Sequence, residues 1–403
     1  MNAFDALVIG AGPAGSTAAL LLARRGWNVA VVEKSPFPRR KVCGEFISAT
    51  SWPILRELGV ADGLSRVAGP PVRCVGLFAR DVVVSAPMPQ INGVRDEFPK
   101  GDSVSGNSSL TPFIWGRAVS REILDATLLD RAAGHGAEVL QPFAVTGIEK
   151  ERDEFVARVE RGAALRARIV IAAHGSWERG ALPSQSARLP ARAGDLLGFK
   201  AHYSDSQLPA GLMPLVLFPG GYGGMVASGA GRASFSCCIR RDALAKCRRE
   251  RPGLNAGEAV IAHVAASCRG VREALDGAKL DGPWLSAGPI RPGTRELQRP
   301  GYYVVGNAAG EAHPLIAEGI SMAIQSAWLL DEQLAGGGER YARAWRQHFS
   351  SRVRASSVFA ALTMTPPGDA ASAAVLRRVP AILTWGARWS GKAHALAAAE
   401  VSA

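Results

Sequence analysis

Gly10-Ala-Gly-Pro-Ala-Gly15 has the spacing of a turn that lets a backbone approach a pyrophosphate. Glycines permit the tight bend, and the N–H groups opening the next helix then face an anion. Glu33 lies 18 residues beyond Gly15, where a carboxylate accepts hydrogen bonds from ribose hydroxyls and disfavours a 2′-phosphate. The competing reading is a glycine turn that only packs a strand on a helix. A second set of groups stands near the other end of the chain: Asn307, His313, Pro314 and the Glu318-Gly319 step. Cys43 and Glu45, between the two sets, add a thiol and a carboxylate.

The elements that must position these groups follow from hydrophobic period. Ala6–Ile9 is an apolar run suited to a parallel strand buried on both faces. Ser16 to Arg25 has helical spacing and stops at Gly26, and Val29–Val32 is the next buried strand, closed by Glu33. This is one βαβ unit. Short β-like runs rich in Pro and Gly follow from Val72 to Pro99, then a helical pattern from Ser120 to Gly134. A strand pair spans Ala144 to Val159, a buried run spans Arg168 to Ala173, and Leu196 to Ile239 is strand-rich, broken at Pro219 to Gly224. Tyr302 to Val305 predicts a buried strand and Gly319 to Leu334 a helix.

Two distant stretches resemble one family. The string VIGAGPAGSTAALLLARRGWNVAVVEKS, with its Pro13, resembles the FAD-binding flavoproteins that include aromatic hydroxylases and geranylgeranyl reductases. The string YYVVGNAAGEAHPLIAEGISMAIQSAWLL resembles that family's second motif, GDAAGxxxPLxGEGIxxAxxS, with Asn307 where Asp is usual. RKVCGEFIS resembles the loop that carries Cys-Gly-Gly or Cys-Gly-Glu near the flavin in reductase and halogenase relatives. SREILDATLLDRAAGHGAEV resembles a helix that brings an arginine, here Arg121, to the cofactor. The resemblance covers roughly residues 1 to 330. It implies an α/β fold: a Rossmann-like FAD-binding domain with an inserted β-sheet substrate domain and a helical C-terminal region. The FAD-binding domain is expected over 1–75, 100–185 and 290–330, the β-rich substrate domain over 76–99 and 186–289, and the helical region over 331–403.

The resemblance further implies cofactor contacts at Gly10, Gly12, Pro13, Ala14, Gly15, Glu33, Lys34, Lys41, Cys43, Gly44, Arg121, Val145, Gly306, Asn307, Pro314, Gly319 and Ile320. His313, expected over the flavin face, is the candidate general acid or base. A structural histidine is the competing reading. The segment around Gly220 to Gly224 resembles a flavin-facing strand and also reads as a simple hairpin turn. Hydroxylases of the family commonly have Ala-Asp-Gly where this chain has Ala173-His174-Gly175, and an imidazole does not copy a fixed carboxylate. That substitution turns the reading away from direct NAD(P)H use by the hydroxylase route.

Three reactions follow from these groups. A monooxygenase acting on a largely apolar aromatic or polyketide-type molecule, in secondary metabolism, is favoured narrowly, because oxygen is the simplest second substrate. A flavin-dependent reductase or dehydrogenase of carbon–carbon bonds, similar to geranylgeranyl reductases, is the alternative. A halogenase ranks third, since the Trp-x-Trp-x-Ile-Pro string of tryptophan-type halogenases is absent. A non-catalytic FAD-binding scaffold ranks below all three. NAD(P)H or a separate flavin reductase would supply electrons, because no second dinucleotide fingerprint is present.

Composition bounds the remaining classes. The formal net charge of +12 comes from scattered arginines without a basic track interleaved with aromatics, which argues against nucleic acid. The six cysteines show no metal-ligand spacing, and no export signal or apolar span is read, so a cytoplasmic protein with reduced thiols is expected. Trp345, Trp385 and Trp389 stand near Arg343, Arg346 and Arg388. Core packing is the expectation for them, with contact to a membrane surface the weaker alternative.

Overall fold

The computed structural model describes residues 3–91, 115–160, 162, 164–177, 180–185, 190–229 and 231–392. The parts of the expected FAD-binding and substrate regions at 92–114, and the end of the helical region at 393–403, lie outside the described residues.

Five parallel strands make the first sheet's centre. In spatial order they are Tyr302–Val304, Leu165–Ala172, Ala3–Ile9, Val29–Val32 and Glu138–Leu140. Their register is the fact that matters. Ile9 lies beside both Val32 and Ala172, Ala172 beside Val304, and Val32 beside Leu140. All five carboxyl ends therefore finish at one edge, where the chain turns out through Gly10, Glu33, Ala173 and Val305. In an open α/β sheet this edge is where ligands bind. Ala6–Ile9 and Val29–Val32 are buried at every position, as strands covered on both faces must be.

Pro13 opens the following helix, Pro13–Arg24, at a position where its missing N–H costs nothing. That helix packs on the sheet through Gly15. A Cβ added there would stand 1.8 Å from the Gly10 carbonyl oxygen, so only glycine lets helix and turn close this tightly. Gly10 itself has φ +99°, a conformation that disfavours any side chain.

The second sheet has eight strands, centred on Leu196–Ser204, Arg232–Arg240, Gly221–Ser228, Leu212–Phe218 and Cys74–Ala79. Its neighbours are antiparallel except Leu212–Phe218 and Cys74–Ala79, which run parallel. One face carries Phe199, Phe218, Met225 and Phe235 against the helices Arg241–Glu250, Ala256–Ser267 and Arg269–Ala274. The sequence reading described this whole region as β-rich and did not find those three helices. The other face carries Leu77, Leu217, Tyr222 and Val226 toward Gly338–Thr363, Pro366–Arg378 and Ala381–Ala387. All six cysteines are free thiols. Among the described residues no helix is long and apolar enough to cross a membrane.

Replacing Gly15 by Ala should cost about 1–3 kcal/mol, because the new methyl meets rigid backbone rather than a movable side chain. Gly63→Ala, in the helix Ala61–Val67 with nothing near its Cβ, is the control and should leave stability unchanged or slightly raised. Urea unfolding of flavin-free protein reads both, and a Gly15→Ala midpoint equal to wild type would refute the close-packing account.

Candidate active site

Two cavities meet at the carboxyl edge of the first sheet. One, of about 530 Å³, runs along Gly10, Gly12, Pro13, Ala14, Glu33, Lys34, Lys41, Arg121 and Val145. The other, of about 940 Å³, lies between the second sheet and the C-terminal helices and includes Gly44 and Pro314. Val42, Cys43, Asn307, Gly319 and Ile320 line both. The two sequence motifs, from opposite ends of the chain, thus flank one junction.

Three of the expected residues line neither cavity. Gly15 sits under Gly10, as described. Gly306 (φ +62°) lies where a Cβ would fall 2.8 Å from the Ala14 Cβ, so it lets the second motif close on the first motif's helix. His313 is buried behind Tyr222, whose hydroxyl is 2.5 Å from its Nδ1. His313 is therefore not on a cavity wall; Tyr222 is.

The nucleotide cleft fits a dinucleotide. A Cβ on Gly12 would meet only the Arg121 guanidinium, at 3.7 Å, so the turn leaves open space beside a fixed cation. Burial alone would lower the Arg121 pKa, but the two-pronged bond to Asp125, at 2.7 Å for each prong, holds it above the ordinary value. Glu33 accepts from Ala11 N and Ser35 N at 2.8 and 2.9 Å, and Arg39 caps both carboxylate oxygens at 2.7 and 3.2 Å. A ribose hydroxyl reaching Glu33 must share these oxygens with Arg39. His174 is held at both ring nitrogens, by Gly175 O at 2.8 Å and Ser184 Oγ at 2.7 Å, and Ser184 continues to Tyr302. It is a fixed member of the cleft wall.

A buried charge cluster lies under the junction. Glu45, Lys200 and His202 are all nearly inaccessible. Lys200 Nζ donates to one Glu45 oxygen, and His202 Nε2 is 2.9 Å from the other. Burial would raise the Glu45 pKa, but the His202 hydrogen bond and the Lys200 charge outweigh it and bring the group to about 2. Burial pulls Lys200 below its ordinary value against the pull of that carboxylate. Glu45 takes a left-handed backbone conformation, φ +64°, which costs an L-residue about 1–2 kcal/mol. Its hydrogen bonds to Lys200 and His202 hold it there.

The second motif carries its own network. Asn307 Nδ2 donates to Glu311 Oε1 at 3.2 Å, and Arg295 donates to the Asn307 carbonyl at 2.8 Å. Glu311 is desolvated, which raises its pKa. Burial lowers His313 to about 4 and raises Tyr222 well above 10, so near neutral pH the pair is uncharged and the phenol donates to the imidazole. Sequence reading missed Tyr222, Lys200, His202, Arg39 and Glu311 as site residues. Tyr222 stood inside the Gly220 to Gly224 stretch, which is both a turn at Pro219-Gly220 and a cavity-facing strand from Gly221.

Comparisons with known proteins agree with this geometry. The model of a family described as FAD binding domain matches residues 3–344. The menaquinone reductase of Mycolicibacterium smegmatis is 26% identical over 406 residues, covering 96% of this chain and 91% of that protein. Digeranylgeranylglycerophospholipid reductase 2 of Methanopyrus kandleri is 27% identical, covering 89% and 87%. Among solved structures, a myxobacterial chondrochloren halogenase superposes with a TM-score of 0.73 at 21% identity, covering 97% of this chain and 91% of that one, a likeness of fold.

Removing the Glu45 charge should strand Lys200 in the interior, so Glu45→Gln should cost about 3–5 kcal/mol. The folded carboxyl titrates near 2 against 4.5 when free, so the unfolded chain binds the extra proton. This stabilisation is complete above about pH 4.5 and fades as pH falls toward 2. Urea midpoints across that window should fall less steeply in Glu45→Gln than in wild type; equal slopes would contradict the cluster.

Proposed function

The chain belongs to the FAD-binding-domain family and is an FAD-dependent oxidoreductase, and from that premise we propose that it reduces a carbon–carbon double bond in a long apolar substrate. The observation that carries this reading is the larger cavity. Its volume of about 940 Å³ is at the upper end for small-molecule pockets, and its far walls are Leu215, Val226, Leu376 and Leu383. It meets the nucleotide cleft at Cys43, Asn307, Gly319 and Ile320. Two relatives that align over most of their length are named for reducing a lipid and menaquinone, which supports a substrate of this class.

Bound FAD supplies the hydride. In this proposal the chain's own residues do the rest. Gly10, Gly12 and the start of the helix Pro13–Arg24 hold the pyrophosphate, Glu33 the ribose, and Asn307 the ribityl chain. The apolar walls exclude water. Tyr222 would turn its O–H from His313 Nδ1 to the substrate carbon as the hydride arrives, and the phenolate left behind would regain a proton from water by way of the neutral imidazole. The first sheet and its turns carry the cofactor, and the second sheet faces the substrate through Met213, Leu215, Tyr222 and Val226. Electrons come from NAD(P)H or a separate flavin reductase.

Oxygenation of an apolar aromatic molecule is the second reading, favoured by the same dry walls, which would shield an oxygen-reactive reduced flavin. The two separate on product mass. FAD-loaded protein, reduced chemically without oxygen and given menaquinone or a digeranylgeranyl lipid, should yield a product heavier by two hydrogens, a gain that menaquinone keeps after its ring is reoxidised to the quinone. An oxygen atom incorporated from labelled oxygen, with no anaerobic product, would replace the first reading by the second. Tyr222→Phe should keep its flavin and its rate of flavin reduction but form product about 10²-fold more slowly. An unchanged product rate removes Tyr222 as the proton donor.

A further inference from the structure

The wall of the larger cavity does not end inside the protein. Val358, Leu362, Val375, Ile382, Trp385 and Trp389 all line the cavity and are all exposed, Leu362 at 61% and Trp385 at 66%. Large apolar side chains this open are usual when scattered, but a contiguous set around a cavity mouth marks an interaction surface. The spacing gathers them. Val358 and Leu362 are four apart on Gly338–Thr363, and Ile382, Trp385 and Trp389 follow at three and four along the last helical segment. Trp345, by contrast, is 1% exposed and packs in the core beside Phe349, so the three tryptophans grouped by sequence divide into one core residue and two surface ones.

Charge identifies the occupant. Residues 338–392 contain nine Lys or Arg and two acidic residues, Glu339 and Asp369. Most of the chain's net charge of +12 is thus concentrated in its helical end. Four of these cations are exposed and interleaved with the apolar set: Arg354 four residues before Val358, Arg377 and Arg378 after Val375, and Arg388 between the two tryptophans. Tryptophan with arginine beside aliphatic side chains, on helices not apolar enough to span, is the composition of an element that lies in the plane of a bilayer interface. A cationic rim adds attraction to anionic headgroups, screened by salt.

We propose that the helices from Gly338 to Ala387, with the turn at Arg388–Lys392, dock this protein on the surface of an anionic lipid bilayer with the cavity mouth facing the acyl chains. A lipid-soluble substrate would then pass from bilayer to cavity without crossing water; that step rests on the reductase reading above, whereas the docking does not. Lys392 is the anchor on the protein side. It is buried, forms an ion pair with Glu318 at 2.9 Å and donates to the Ile316 carbonyl at 2.5 Å, directly before the cavity-lining Gly319. The docking turn and the start of the helix Gly319–Gln333 are therefore one rigid piece.

Flotation of the FAD-loaded protein with vesicles, free of any substrate, tests this. The protein should float with phosphatidylcholine–phosphatidylglycerol vesicles, float poorly with phosphatidylcholine alone, and be released as salt rises. Trp385→Glu/Trp389→Glu should bind those vesicles about tenfold or more weakly while keeping its FAD absorbance and unfolding midpoint. Brominated acyl chains should quench wild-type emission more than that of Trp385→Phe/Trp389→Phe. Protein that stays unbound with anionic vesicles, or a double Glu variant that floats equally well, overturns the proposal. So does a wild-type dimer that the Glu variant dissociates without any vesicle binding, since the face would then pair with a second copy. Because no turnover is measured, loss of the substrate reading leaves this result standing, and the reverse also holds.

Discussion

A carboxylate buried with a lysine and a histidine is expensive unless every partner is in place, and Glu45 is buried with both. Glu45 comes from the loop after Cys43, whereas Lys200 and His202 come from a central strand of the second sheet. Satisfying the cluster fixes that loop against that strand. Cys43 and Gly44, on the same loop, are thereby set at the junction of the two cavities. The penalty for separating the charges, about 3–5 kcal/mol for a buried pair, is a large part of an ordinary domain's stability. Alignment of the nucleotide cleft with the substrate cavity depends on it.

The opposite side of the junction is fixed by the same kind of contact. Glu318, fully buried at the start of the helix Gly319–Gln333, takes Lys392 from the C-terminal turn. Between these two ion pairs lie walls of aliphatic and aromatic side chains. The cavity lining is mostly apolar, with Ser236, Asn307, Glu311 and Ser356 among its few polar side chains. That lining suits a ligand with one reacting group and a long featureless remainder.

The first motif was legible because its information is local. A βαβ unit places its own glycines and acidic residue, and the strand period fixes which edge they reach. The elements at Val145–Glu151, Glu154–Val159, Leu165–Ala172 and Gly319–Gln333 fell close to their expected bounds for the same reason. What sequence could not reveal was pairing across distance. Glu45 and Lys200 are 155 residues apart, and Tyr222 and His313 are 91 apart. Neither spacing carries a period. His313 attracted attention as a titratable group beside a motif, yet burial makes it a partner rather than a wall residue. The helices Arg241–Glu250, Ala256–Ser267 and Arg269–Ala274 were missed because they cover the outer face of a sheet whose strands dominate the surrounding pattern. Tryptophan type alone also cannot separate Trp345, inside, from Trp385, outside; only the packing of the last helices does.

Asn307, where the family pattern usually has aspartate, is held by a nearby carboxylate and an arginine. Removing a carboxylate at that position would free an acceptor and a charge. Here a carboxylate remains one turn further on, at Glu311, where it accepts from the Asn307 amide and lies 3.7 Å from Arg295. The amide is thereby oriented, which leaves its carbonyl oxygen as the acceptor it presents, and the negative charge stands behind it beside a cation. Arg295 also binds the Asn307 backbone carbonyl, so the three groups move together or not at all. A neutral amide oxygen accepts a weaker hydrogen bond than a carboxylate does, and it places less negative charge at the junction of the two cavities.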